Sequence, residues 1–125
     1  MFDIYKGKTV LVSGNTGFKG SWLSIWLELL GAKVVGLSVD VPSKPAHFSS
    51  LKLESRTEHI WGDIRDHVLC ADVVRRSRPD FLFHLAAQPL VRESYALPRE
   101  TYAVNVMGVV NLLEAARRTG SVKAI

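Results

Sequence analysis

The run Lys8-Thr-Val-Leu-Val-Ser-Gly-Asn-Thr-Gly-Phe-Lys-Gly20 leads straight into Ser21-Trp-Leu-Ser-Ile-Trp-Leu-Glu-Leu-Leu30. A short β-branched apolar stretch ends in three glycines at regular spacing, Gly14, Gly17 and Gly20. Trp22, Ile25, Trp26, Leu29 and Leu30 then follow the i, i+3, i+4 pattern of one buried helical face. Strand, glycine turn and helix in that order form the turn that binds dinucleotides. Each glycine has a separate physical reason. One lets the chain reverse, one lets the backbone approach a pyrophosphate, and one lets the helix lie close to the strand. The N–H groups at the start of the helix then face the phosphates.

With 125 residues, residues 1–125 are expected to form one dinucleotide-binding domain. No apolar run approaches the roughly 18 residues needed to span a bilayer, and Met-Phe-Asp-Ile-Tyr-Lys at the start lacks a secretory signal's apolar run. No membrane association is therefore expected. The single cysteine, Cys70, has no partner for an internal disulfide, which suits a reducing cytoplasm. It shares a stripe with Leu69, Val73 and Val74 and is read as a core thiol. The net charge of +4 comes partly from Arg75-Arg76 and Arg117-Arg118, both late in expected helices where cations complement the dipole. No long basic run interleaved with aromatics is present, so nucleic-acid binding is not expected.

Along the chain, Gly31 is expected to cap the first helix, and Lys33 to Val39 to form a second strand ending at Asp40. Val41 to Ser50, with Pro42 and Pro45, reads as a loop. Glu58 to Trp61 reads as a third strand, Arg65 to Ser77 as a second helix, and Asp80 to Ala86 as a fully apolar fourth strand. A loop with Gln88, Pro89 and Tyr95 follows. Pro98 opens a long helix to about Arg118, stopped at Thr119-Gly120. Ser121 to Ile125 reads as the first half of a fifth strand. Apolar strands alternating with helices predict an α/β fold, a doubly wound parallel sheet ordered 3-2-1-4-5 (a Rossmann fold) cut within strand five. The ligand crevice is then expected at the carboxyl ends of strands one and four.

On Ser13-Gly-Asn-Thr-Gly-Phe-Lys-Gly20, Gly62-Asp-Ile-Arg-Asp66, Phe83-His-Leu-Ala-Ala-Gln-Pro-Leu-Val-Arg92 and Asn105-Val-Met-Gly108, the chain resembles the extended short-chain dehydrogenase/reductase family (NAD-dependent epimerases and dehydratases) over essentially its whole length. Within it, the chain is most similar to the CDP-glucose 4,6-dehydratase branch. Related dTDP-glucose and GDP-mannose dehydratases usually carry Ser-His where this chain has Pro89-Leu90, and Phe-Lys-Gly-Ser-Trp points the same way. The alternatives are a GDP-mannose or dTDP-glucose dehydratase or epimerase relative, and a non-catalytic nucleotide-binding module.

The resemblance implies NAD as cofactor, a sugar nucleotide (CDP-glucose) as substrate, and a homodimer for the full-length protein. Gly14, Asn15, Thr16 and Gly17, with Phe18, Lys19 and Gly20, match the pyrophosphate turn and helix start. Asp63 and Ile64 match the pair that cups the adenine. Leu85, Ala86, Ala87 and Gln88 match the residues passing the ribose and nicotinamide, and Asn105 matches an asparagine near the cofactor. Asp63 also reads as a cap of the following helix, Asn105 as a brace for a neighbouring loop, and His84 as a core histidine at a strand end. Trp22 and Trp26 read as core. The strand-two acid that binds the adenosine ribose falls on Ser38 here, leaving Asp40, two residues later, to reach it. No arginine follows to receive a 2′-phosphate, which favours NAD over NADP.

The family's chemistry resembles an internal redox cycle in which hydride leaves C4 of the hexose, water is eliminated across C5 and C6, and hydride returns to C6. Its base is the tyrosine of a Tyr-x-x-x-Lys pair. Tyr5, Tyr95 and Tyr102 are followed four residues on by Thr9, Arg99 and Val106. No catalytic or metal-ligating residue is assigned, and the chain is expected to be the inactive cofactor-binding part of a dehydratase.

Overall fold

The computed structural model describes residues 3–125. Four strands, β1 (Thr9–Ser13), β2 (Lys33–Ser38), β3 (Glu58–Trp61) and β4 (Phe81–His84), form one parallel sheet ordered β3-β2-β1-β4. The expected order holds across all four. Beyond β4 the chain makes a single parallel bridge, Phe81 to Ala124, with Leu82 N–H donating to Ala124 O, so the last residues lie where strand five belongs.

Both faces of the sheet are covered, because successive side chains of a strand point to opposite faces. Leu11, Val35, Leu37 and Leu82 join Ile64, Cys70, Val73, Val74, Leu112 and Ala115 in one core. This layer is closed by α4 (His67–Ser77) and α7 (Gly108–Thr119). Val10, Val12 and Val34 form the other core with Leu27 of α1 (Phe18–Leu29), against which Tyr5, Leu23, Phe81 and Phe83 pack. Two cores explain why the strands read as unbroken apolar runs.

The helix ends follow local chemistry. At the end of α1, Gly31 adopts φ +81°. Its N–H reaches Glu28 O and Ala32 N–H reaches Leu27 O, satisfying two terminal carbonyls. Asp66, rather than Asp63, caps α4, accepting from Val68 N and Leu69 N at 2.9 and 3.0 Å.

Several expectations change. The buried side of α1 is Gly20, Ser21, Ser24 and Leu27, whereas Trp22 and Trp26 are about half exposed and Leu29 more so. Small residues bring the helix too close to the sheet for an indole to fit between. Trp22 stacks instead on His47, with ring centroids 4.3 Å apart. The stretch from Val41 to Ser50, read as a loop, ends in a short helix, α2 (His47–Ser50), and a second one, α3 (Leu53–Arg56), fills the unassigned residues before β3; their Phe48 and Leu53 are buried. Tyr95 lies in a short helix, α5 (Val91–Ala96), rather than in a loop. The long helix from Pro98 is α6 (Pro98–Tyr102), a π-helical stretch at Ala103–Met107, and α7. Among the described residues no helix is long and apolar enough to cross a membrane.

Candidate functional site

The crevice opens where β1 and β4 end and the strand order reverses. Gly14 turns the chain with φ +76°, its N–H donating to Leu37 O at 2.8 Å. A Cβ there would lie 2.6 Å from Ala86 N and 2.7 Å from Leu85 C. At Gly20 it would lie 2.0 Å from Gly14 O. Both glycines are required by backbone packed against backbone. Gly17 differs: as the N-cap of α1 it is extended, with no side chain capping the turn, and a Cβ would meet nothing nearer than Gly14 O at 3.4 Å. Phe18 and Lys19 follow, both exposed.

Beneath the turn lies a polar lattice. Asn15 is wholly buried. Its Oδ1 accepts from Ser38 Oγ at 2.7 Å and its Nδ2 lies 3.0 Å from His59 Nδ1. Thr16 Oγ1 donates to Asp40 O at 2.7 Å, tying the turn to the chain leaving β2. Asn15 and Thr16 thus have their side chains engaged with the protein, and Ser38, at the position of the ribose acid, is buried within the same lattice. Asp40 is exposed.

Between the ends of β2, β3 and β4 lies a cavity of about 140 Å³ lined by Ser38, Val39, Gly62, Asp63, Ile64 and Ala86 among others. Asp63 accepts from Arg65 N–H at 2.8 Å and from its guanidinium at 2.9 and 2.6 Å. The guanidinium holds the Asp63 carboxyl below its ordinary range, and the same arginine also bonds Glu100 of α6. Ile64 is buried and packs on Gly108, where a Cβ would lie 2.4 Å from Ile64 Cδ1. Asn111 Nδ2 donates to Ile64 O and Arg65 O, fixing this corner to α7.

On the β4 side, Leu85 N–H donates to Ser13 O at 3.0 Å. Gln88 is clamped: its N–H donates to Asn105 Oδ1 at 2.8 Å, and Asn105 Nδ2 returns a bond to its carbonyl at 3.0 Å. Asn105 sits in the π-helical stretch, so it braces the loop holding Leu85, Ala86, Ala87 and Gln88. His84 Nδ1 lies 2.6 Å from Ser13 Oγ, and burial lowers its pKa. It is a bonded strand-end histidine. Burial pushes the Cys70 thiol up to about 11, so this cysteine is unreactive core.

The predicted residues therefore gather around one crevice, from Gly14 through Gly20, Asp63, Ile64 and the segment from Leu85 to Gln88. His59, Arg65 and Asn111 escape sequence reasoning. Arg65 had a signal, its place inside Gly62-Asp-Ile-Arg-Asp66. His59 had none, because its partner is 44 positions away.

The family profile described as GDP-mannose 4,6 dehydratase matches residues 11–125. The chain belongs to that family. It is 47% identical over 123 residues to the CDP-glucose 4,6-dehydratase of Salmonella typhimurium (strain LT2), covering 98% of this chain and 34% of the relative. In structure it resembles an epimerase from Methanothermobacter thermautotrophicus (TM-score 0.83, 34% identity, 97% of this chain and 34% of the other). It also resembles the Thermus thermophilus UDP-glucose 4-epimerase in complex with NAD (TM-score 0.81, 32% identity, 93% and 36%). The chain spans about a third of the length of these proteins, and its sheet is the Rossmann fold of this epimerase and dehydratase group.

Proposed function

We propose that this chain is the NAD-binding portion of a sugar-nucleotide 4,6-dehydratase whose whole form acts on CDP-glucose. The observation that carries this reading is the contrast within the turn. Contacts inside the chain require Gly14 and Gly20, whereas a Cβ at Gly17 would make no contact closer than an ordinary 3.4 Å to Gly14 O. A helix N-terminus with open space before it and no side-chain cap suits an anionic phosphate. Similarity to the Salmonella dehydratase and to an epimerase solved with NAD supports the same assignment.

Phe18 and Lys19, in the first turn of α1, would hold the pyrophosphate through backbone N–H groups, with Gly17, whose own N–H donates to Gly14 O at 3.1 Å, giving it room to approach and the exposed Lys19 ammonium adding positive charge. Asn15 and Thr16 position that turn from beneath. Asp63 and Ile64 would bound the adenine, Asp40 would take the ribose hydroxyls, and Leu85 to Gln88 would pass the nicotinamide side, with Asn105 bracing the loop. When bound, NAD supplies the acceptor for the C4 hydride and its return to C6. The chain's own residues bind and orient. The Tyr-x-x-x-Lys pair is absent and His84 is bonded to Ser13, so the 125-residue chain by itself lacks a base for the C4 hydroxyl and gives no turnover. Tyr102, Val106, Val110 and Leu113 are exposed along one side of α6, the π-helical stretch and α7, a surface suited to a second copy in a full-length homodimer. The lone buried thiol fits a cytoplasmic protein.

Calorimetric titration of NAD into the chain tests the reading. Saturable binding that disappears in Gly17→Val is expected. Absence of binding, or equal binding by the variant, overturns it. Product analysis of the full-length protein with CDP-glucose and with GDP-mannose then decides the sugar nucleotide.

A further inference from the structure

His59 lies in the middle of β3, far from the glycine turn in sequence, yet its Nδ1 is 3.0 Å from Asn15 Nδ2. The other end of that amide accepts from Ser38 Oγ at 2.7 Å, and Ser38 Oγ accepts from the Thr16 N–H at 3.4 Å. The Asn15 amide also lies flat on Gly36 of β2, where a Cβ would come within 2.0 Å of Nδ2. Gripped on these sides, the amide serves both neighbours in one orientation, NH₂ toward the imidazole and carbonyl toward the hydroxyl. That orientation requires a neutral imidazole with a lone pair on Nδ1. The geometry makes a chain of side chains running from β3 to the backbone of the turn.

We propose that His59 is a positioning residue for the phosphate-binding turn: through Asn15 its neutral imidazole holds Gly14 to Gly17 in shape, and its protonation releases the turn and weakens cofactor binding. This rests on the NAD reading above for its ligand, and on the Asn15 lattice for its mechanism. A proton on Nδ1 would set two donors face to face. The amide would then have to rotate and present NH₂ to Ser38, whose own proton loses a buried acceptor. Asn15 lies between Gly14 and Thr16 in the chain, so its displacement falls on the turn itself.

The surroundings favour the neutral form. Phe48 and Trp61 wall the ring at centroid distances of 5.2 and 4.1 Å, and among the described residues Nε2 has no hydrogen-bond partner. Glu54 of α3 is the charge that pulls toward protonation, and burial outweighs it, keeping the imidazole below its ordinary range. Glu58, beside it on β3, is paired with Lys33 of β2 at 3.1 Å. Asp72 and Arg76 of α4, which share a cleft with His59, are paired with each other at 3.3 Å. His47 of α2 turns to Ser21 Oγ at 3.0 Å. These groups leave His59 as the titrating member that touches the turn's lattice.

The test is a pH titration of the chain from 8 to 5, by NMR without ligand and by calorimetry with NAD. The His59 ring signal and the amides of Gly14, Thr16 and Gly17 are expected to move with one shared midpoint. NAD affinity is expected to fall roughly tenfold, the scale of one lost buried hydrogen bond. His59→Phe keeps a ring against Phe48 and Trp61 without the acceptor, and should bind about tenfold more weakly at pH 8 with a flat profile. His59→Gln offers Asn15 an amide oxygen that does not titrate, and should restore affinity with a flat profile. Turn amides that ignore the His59 midpoint, or a His59→Gln variant that keeps the wild-type fall, overturn the proposal. Turn amides that follow His59 in a chain that binds no NAD at any pH leave this coupling standing and overturn the cofactor reading.

Discussion

Replacing Gly17 and Gly20 separately by alanine divides the turn into what the fold needs and what a ligand needs. At Gly20 the new Cβ would stand 2.0 Å from Gly14 O, 2.7 Å from Gly14 C and 2.8 Å from Asn15 Cα. All three are backbone atoms, so no side chain can swing aside. Ordinary contact is near 3.5 Å, and relief requires α1 to retreat from the turn by more than an ångström. Overpacking of this kind costs about 1–3 kcal/mol, and a backbone obstacle places it near 3. For a chain of this size that lowers Tm by roughly 10 °C. At Gly17 the same methyl group meets only an ordinary 3.4 Å contact at φ −70°. Alanine is a poorer N-cap than glycine but reduces the freedom of the unfolded chain, and these opposing terms leave stability within about 1 kcal/mol of wild type. Urea unfolding followed by fluorescence of Trp22, Trp26 and Trp61 measures both variants. Equal losses of stability in the two would refute the division of roles.

Three further outcomes follow from individual contacts. His59 and His84 are both held below the ordinary imidazole value of 6.5 by burial, so the unfolded chain takes up protons that the folded one resists. Stability should be full above about pH 6.5 and fall as pH drops through the lower folded values, and urea midpoints between pH 8 and 5 check the sign. Asn105→Ala removes both bonds to the Gln88 backbone; a loss of about 1–3 kcal/mol should appear as faster hydrogen exchange at the Gln88 amide, with slower exchange counting against the brace. Cys70, with its thiol pushed up to about 11, should resist iodoacetamide at pH 8 in the folded chain and react once urea unfolds it.

The strand, glycine turn and helix, the close packing at Gly14 and Gly20, and the parallel sheet were legible because they follow from patterns within a few residues. Gly31 shows the same legibility at a helix end. The structure departs from the sequence pattern where packing between elements or a competing local hydrogen bond decides between choices of equal periodicity. The stripe at Trp22, Trp26 and Leu29 has helical periodicity, yet the helix docks through Gly20, Ser24 and Leu27. Which face turns inward was set by how closely Gly20 can approach Gly14, a contact between elements. The alternative reading of Asp63 as a helix cap does not hold: Asp66 is the N-cap of α4 and Asp63 is bound to Arg65.

Local spacing by itself determined that this chain makes strand, glycine turn and helix, since backbone freedom at Gly14 and apolar periodicity act within a few residues. It also determined the parallel, two-sided sheet, because strands apolar on both faces must be covered on both. Only the tertiary structure decided what lies beneath the turn. His59, Ser38 and Gly36 come from β3 and β2, and they meet Asn15 because parallel pairing sets Gly36 beside His59. Hydrogen bonds reach about 3 Å in space and are indifferent to separation along the chain, so no pattern within a window of residues could announce them.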